Sequence, residues 1–182
     1  MTDVNGVTLR EPDPIEAAKY VDGGGKVIAI PPKGVYTLIT TALEWGATKD
    51  DYLQATLTHV VQAPGQPYDQ HEVRYHRVST KKWPNREGSP IGDYCRAHGL
   101  ADLPTGNAGY QQTLPALLNR PFEAGLDWEI YNQEKGLDIK GMDAFPDAEG
   151  GGKQPWVPDP RETGRRVFAR SRVSFMVSKV AK

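Results

Sequence analysis

Apolar and β-branched residues recur with a period of two along most of this chain, a spacing that commits it to strands with one buried face. Val35, Thr37, Ile39, Thr41 and Leu43 alternate with Tyr36, Leu38, Thr40, Ala42 and Glu44 inside a first predicted strand from Val27 to Trp45. Pro31-Pro32-Lys33-Gly34 interrupts it near its start. Proline cannot donate to a ladder, so the interruption marks an edge, a bulge or a sharp bend. A second strand is predicted from Tyr52 to Gln62, with Leu53, Ala55, Leu57, His59 and Val61 on one face, and a third from Glu72 to Trp83. Together they make an antiparallel meander. The alternation is cleanest from Phe122 to Tyr131, where Phe122, Ala124, Leu126, Trp128 and Ile130 point inward and acids outward. It returns from Arg165 to Val180, with Val167, Ala169, Ser171, Val173, Phe175 and Val177 on one face.

Helical signals are few and short. Ser89-Pro90 caps and opens a helix whose Ile91, Tyr94, Cys95 and His98 share a face before Gly99 stops it. A second short helix is expected over Leu114 to Leu118. Asn132 to Gly164 is predicted as a long loop, with a short element around Leu137 to Phe145; Gly150-Gly151-Gly152 and the prolines at 155, 158 and 160 leave no room for a longer one. Residues 1–25 read as an N-terminal extension with a short helix opening at Asp13-Pro14-Ile15-Glu16, and residues 26–182 as the main domain.

The order is three strands, short helices, a strand, a long loop and a last strand. It matches an all-β, five-stranded Greek-key barrel of the OB-fold kind, with the helices between strands three and four. An open β-sandwich is the competing architecture. The 19 glycines and 15 prolines, about a fifth of the 182 residues, agree with a turn-rich barrel and argue against a helical bundle. Hydrophobic residues at 38% suffice for a core.

Gly34-Val35-Tyr36-Thr37-Leu38, the phrase from Arg120 to Glu129 and Gly141-Met142-Asp143-Ala144-Phe145-Pro146 together resemble bacteriophage single-stranded DNA-binding proteins of the OB type. The resemblance spans most of Val27 to Val180. It implies a sequence-tolerant single-strand binder serving phage DNA replication or recombination. Single-stranded DNA and other replication or recombination proteins would be its partners, and the cytoplasm of a bacterial host its compartment. It implies neither catalysis nor a cofactor.

Formal charge is −1, so attraction to nucleic acid must come from local clustering. Arg74, Arg77, Lys81, Lys82 and Arg86 lie together with no acid among them. Arg161, Arg165, Arg166, Arg170, Arg172, Lys179 and Lys182 face one acid, Glu162, whereas the stretch from Arg120 to Gly150 is strongly acidic. In a barrel of this kind the third strand and the loop before the last strand border the oligonucleotide groove. Tyr75, Trp83, Trp156 and Phe168 are interleaved with the bases and offer stacking surfaces. The predicted interface is therefore Arg74, Tyr75, Arg77, Lys81, Lys82, Trp83, Trp156, Arg161, Arg165, Arg166, Phe168, Arg170 and Arg172. The competing expectation has both basic clusters as solvated faces paired with the acidic strand, and Trp83 and Trp156 as loop anchors.

Other chemistries are weaker. His71, His76, Cys95 and His98 are zinc-ligand types, but Cys95 and His98 lie on a packed helix face. His71 and His76, five apart, are expected on opposite faces of a strand, so no metal is predicted. Asp127 with Asp138 and Lys140 has the spacing of Mg-dependent nucleases. Leu126 stands where those enzymes carry proline, and a scaffolding β-domain is a further alternative. One cysteine and a leader-free start at Met1 predict a reducing interior. No apolar run reaches the roughly 20 residues of a spanning helix.

Overall fold

The computed structural model describes residues 2–4, 7–9, 28–130, 139 and 141–181. The helix expected near Asp13 lies outside the described residues. In chain order the elements are β1 (Thr2–Val4), β2 (Val7–Leu9), β3 (Gly34–Ala47), β4 (Leu53–Val61), β5 (Glu72–Ser79), α1 (Pro90–Ala97) and α2 (Gly106–Thr113). A 3₁₀ turn (Leu114–Leu117), β6 (Pro121–Ile130), a second 3₁₀ turn (Met142–Ala144), β7 (Trp156–Pro158) and β8 (Arg166–Met176) follow. β1 and β2 form their own two-stranded sheet.

The main sheet is antiparallel and ordered β5-β4-β3-β6-β8-β7. β6 returns after the meander to lie beside β3, which is a Greek key. The sheet has six strands, not the five expected. Trp156, Val157 and Pro158, inside the predicted loop, pair with Phe168, Val167 and Arg166, and prolines at 155 and 158 keep this added edge strand short.

Strand ends differ from the sequence reading for a common reason: a ladder stops where its partner stops. Thr80 N–H donates to Leu53 O, the first residue of β4, so β5 does not reach Trp83. Val177 N–H donates to Glu123 O near the start of β6, and β8 stops short of Val180. Pro31-Pro32 cut β3 off from Ile30, which bridges to Lys153 instead. α2 was not expected, because Gly106, Asn107 and Gly109 are poor helix formers.

The alternation predicted for β4 is present: Leu53, Ala55, Leu57, His59 and Val61 are all buried. The main core joins them to Leu38, Val73, Val78, Phe122, Ala124 and Leu126, closed by Ile91, Tyr94 and Cys95 of α1. A second, smaller core gathers Ile30, Ile139, Phe145, Val157, Val167 and Ala169 beneath the long connection before β8. Register shifts at Thr40/Ala42, Leu57/His59 and Gly125/Leu126 sharpen the local twist and curl the sheet into a half-barrel. β5 and β8 approach across its open side, and α1 touches both.

Candidate nucleic-acid interface

The bulge on β5 falls at Tyr75, whose φ of 60° is left-handed and uncommon for an aromatic residue. It swings Tyr75 out, with half its surface exposed, and turns His76 inward beside Val73 and Val78. The expectation that His71 and His76 lie on opposite faces of a strand fails for this reason: His71 is fully buried, and His76 Nδ1 sits 2.9 Å from Nε2 of buried His59. Burial holds both imidazoles neutral, pulling His71 down to about 3 and His76 to about 4. Burial raises the Cys95 thiol to about 11. No group of three or more potential metal ligands occurs among the described residues.

A groove of about 540 Å³ opens where β5 and the β5–α1 connection meet the C-terminal half of β8, within the roughly 300–1,000 Å³ of ligand clefts. Its lining includes His76, Arg77, Trp83, Arg86, Asp93 and Phe175. Trp83 is 59% exposed and Phe175 52%. Arg77 and Arg86 are exposed and form no ion pair among the described residues, whereas Asp93 is held by Arg96 at 3.2 Å.

The alternation of β8 groups Phe175 on one face with Val167, Ala169 and Val173. The bulge opposite Gly125/Leu126 inserts Ser174, so Val173 remains in phase with the core and Phe175 emerges on the outer face. Its ring lies on Gly125, where an added Cβ would meet it at 2.2 Å. Glycine in mid-strand is the sequence signal for such a close approach.

The predicted interface residues divide. Arg77 and Trp83 line the groove, exposed Lys82 precedes Trp83, and exposed Tyr75 precedes the groove-lining His76 in the chain. Lys81 pairs with Asp50 and sits 5.8 Å over the Tyr52 ring; Arg74 pairs with Glu72 on its own strand. On β8, Arg170 Nε donates to Glu129 Oε1 at 2.6 Å, and its guanidinium lies 5.2 Å from the Tyr75 ring. Arg172 reaches Asp127 at 3.7 Å and Glu129 at 4.0 Å, so the basic strand is largely matched by the acidic one beside it. Arg161 grips buried Asp159 through Nε and a terminal nitrogen at 2.9 and 2.8 Å, and Arg165 approaches the same carboxylate at 3.7 Å. The Arg161 side chain and backbone N–H hold that carboxyl down to about 2.

Trp156 is half-buried on β7, opposite half-buried Phe168, with the Arg166 guanidinium stacked 3.6 Å from its ring centre. Arg166 and Phe175 are nine residues apart along β8, about 30 Å of strand. Trp156, Arg166 and Phe168 therefore form a cluster separate from the groove. Asp127 is engaged by Lys33 at 2.9 Å as well as by Arg172, and Asp138 and Lys140 lie outside the described residues. No helix of the described residues is long and apolar enough to cross a membrane.

Comparison with protein-family models, with curated proteins and with solved structures gives no match.

Proposed function

We propose that this protein binds single-stranded DNA with little sequence selection, on an OB-type barrel extended by one short edge strand, and serves phage DNA replication or recombination. The strand order β5-β4-β3-β6-β8, with α1 inserted after the meander, supports that fold. The carrying observation is the groove at the β5–β8 seam: exposed Trp83 and Phe175 offer two faces for stacking, and Arg77 and Arg86, without an ion pair among the described residues, stand beside them. Bases stack on aromatic rings whatever their identity, and cations beside them neutralise the backbone. The ion-paired bases of β8 hold the sheet together, and the working cations are those of the groove.

The test is a binding assay with oligo-dT and with duplex DNA of equal length, across a salt series, with and without Mg²⁺. Oligo-dT should bind preferentially and lose affinity as salt rises. Replacing Arg77 and Arg86 together by Ala should make the log–log salt slope shallower by about 1.4, near 0.7 for each phosphate contact on a single strand. Preference for duplex, or an unchanged slope in the double variant, overturns the reading. Cleavage of the oligonucleotide in Mg²⁺ would restore the nuclease alternative.

A further inference from the structure

A line of hydrogen bonds runs from the core to the groove. Tyr94 Oη lies 2.6 Å from Thr40 Oγ1, Thr40 Oγ1 lies 3.0 Å from His59 Nδ1, and His59 Nε2 lies 2.9 Å from His76 Nδ1. Tyr94, Thr40 and His59 are all fully buried, while His76 lines the groove. Each neutral imidazole carries a single N–H, and a hydroxyl has one proton to give.

Those counts allow two unbroken directions for the line, and the buried end chooses between them; a third arrangement, in which Tyr94 and His59 Nδ1–H both donate to Thr40 Oγ1, leaves the buried Thr40 hydroxyl hydrogen without an acceptor among the described residues. Tyr94 Oη has no second partner among the described residues. If the protons ran toward the core, its hydroxyl hydrogen would be left buried without an acceptor, which costs the desolvation of that group. With the opposite polarity Tyr94 donates to Thr40, Thr40 to His59 Nδ1, and His59 Nε2–H to His76 Nδ1, and every proton has a place. His76 must then carry its own hydrogen on Nε2. That nitrogen has no partner among the described residues.

We propose that the buried Tyr94–Thr40–His59 line fixes His76 as an Nε2–H donor in the groove, and that this donor receives a carbonyl oxygen of a nucleobase stacked there. The proposal rests on the single-strand reading of the groove. Arg77 and Arg86 are the groups suited to phosphate, and a neutral donor beside Trp83 suits a neutral acceptor on a base edge. Thymine, cytosine and guanine carry carbonyl oxygens and adenine does not, so the contact adds a mild bias against adenine to otherwise tolerant stacking.

The tautomer is tested on the whole protein by long-range ¹H–¹⁵N correlation at His76. The Nε2–H form is expected in the native chain, and Tyr94→Phe, which removes the hydroxyl that sets the polarity, should let the Nδ1–H form appear. An Nδ1–H tautomer in the native chain, or no change in Tyr94→Phe, overturns the proposal. Binding is tested with His76→Asn, whose side chain is long enough to keep the link to His59 but places no donor at the Nε2 position. Affinity for oligo-dT should fall about five- to tenfold, the range of one neutral hydrogen bond, while affinity for an abasic oligomer of equal length stays unchanged. Equal losses on both ligands would place the donor on the backbone and overturn the base contact, as would unchanged oligo-dT binding. If the native protein fails to bind oligo-dT at all, the groove reading itself falls, and the base contact falls with it.

Discussion

At the scale of single residues, two tryptophans expected to do the same work occupy opposite situations. Trp83 stands exposed at the groove with nothing stacked on it in the described structure, whereas Trp156 is half-buried under the Arg166 guanidinium. Their alanine variants should separate accordingly. Trp83→Ala should cost about 1 to 3 kcal/mol of oligo-dT binding, a base-stacking contact, and leave the melting temperature nearly unchanged. Trp156→Ala loses apolar packing and a cation–π contact, together about 2 kcal/mol, so it should lower the melting temperature by several degrees and leave binding close to native. Thermal melts and titrations on the same two preparations decide the matter, and the reverse pattern would move the interface to β7.

At the scale of elements, the bulges set what each strand shows. β8 runs in phase with its core face up to Val173, and the extra residue Ser174 sends Phe175 outward onto Gly125. A methyl group at Gly125 cannot coexist with that ring position. Gly125→Ala should swing the Phe175 ring away at a cost of about 1 kcal/mol and reduce oligo-dT affinity several-fold. In a Phe175→Ala background the same glycine substitution should have no further effect on binding, because contacting residues couple and separated ones do not. Additive losses in that double variant would show that Gly125 acts independently of the ring.

At the scale of the whole molecule, the interior of the half-barrel holds neutral histidines, and this makes stability depend on pH. The unfolded chain takes up protons on imidazole below about 6.5, while the folded chain resists until about 4 at His76 and about 3 at His71; His59 is also held well below 6.5 by burial and by His76. Between those values the unfolded state binds more protons, so stability rises with pH, is fully present above about 6.5 and drains away on acidification. Each fully uncompensated histidine contributes a slope of about 1.4 kcal/mol per pH unit. The melting temperature should fall steadily from pH 6.5 to pH 4. The ion-paired carboxylates Asp127 and Asp159, held below their usual 3.8, add to the loss only in stronger acid. A melting temperature that stays level from pH 7 to pH 5 would contradict neutral burial of these rings.

The local pattern by itself determined part of the architecture: the β4 alternation, the strand at β6, and α1 with its Ser89 cap and Gly99 stop all follow from period and from turn chemistry within a few residues. It also carried the basic and aromatic character of the β5 region, including Tyr75, Arg77 and Trp83. Only the tertiary structure decided which charges are engaged, because Glu129 with Arg170 and Asp127 with Arg172 meet across a β6–β8 pairing that joins residues more than forty apart. It alone turned His76 inward and Phe175 outward, since a bulge forms where two ladders fall out of step, and one strand read without its partner does not reveal the slip. The sixth strand had the same origin: Trp156 to Pro158 has too short a pattern to announce a strand, and becomes one because β8 offers an open edge beside it.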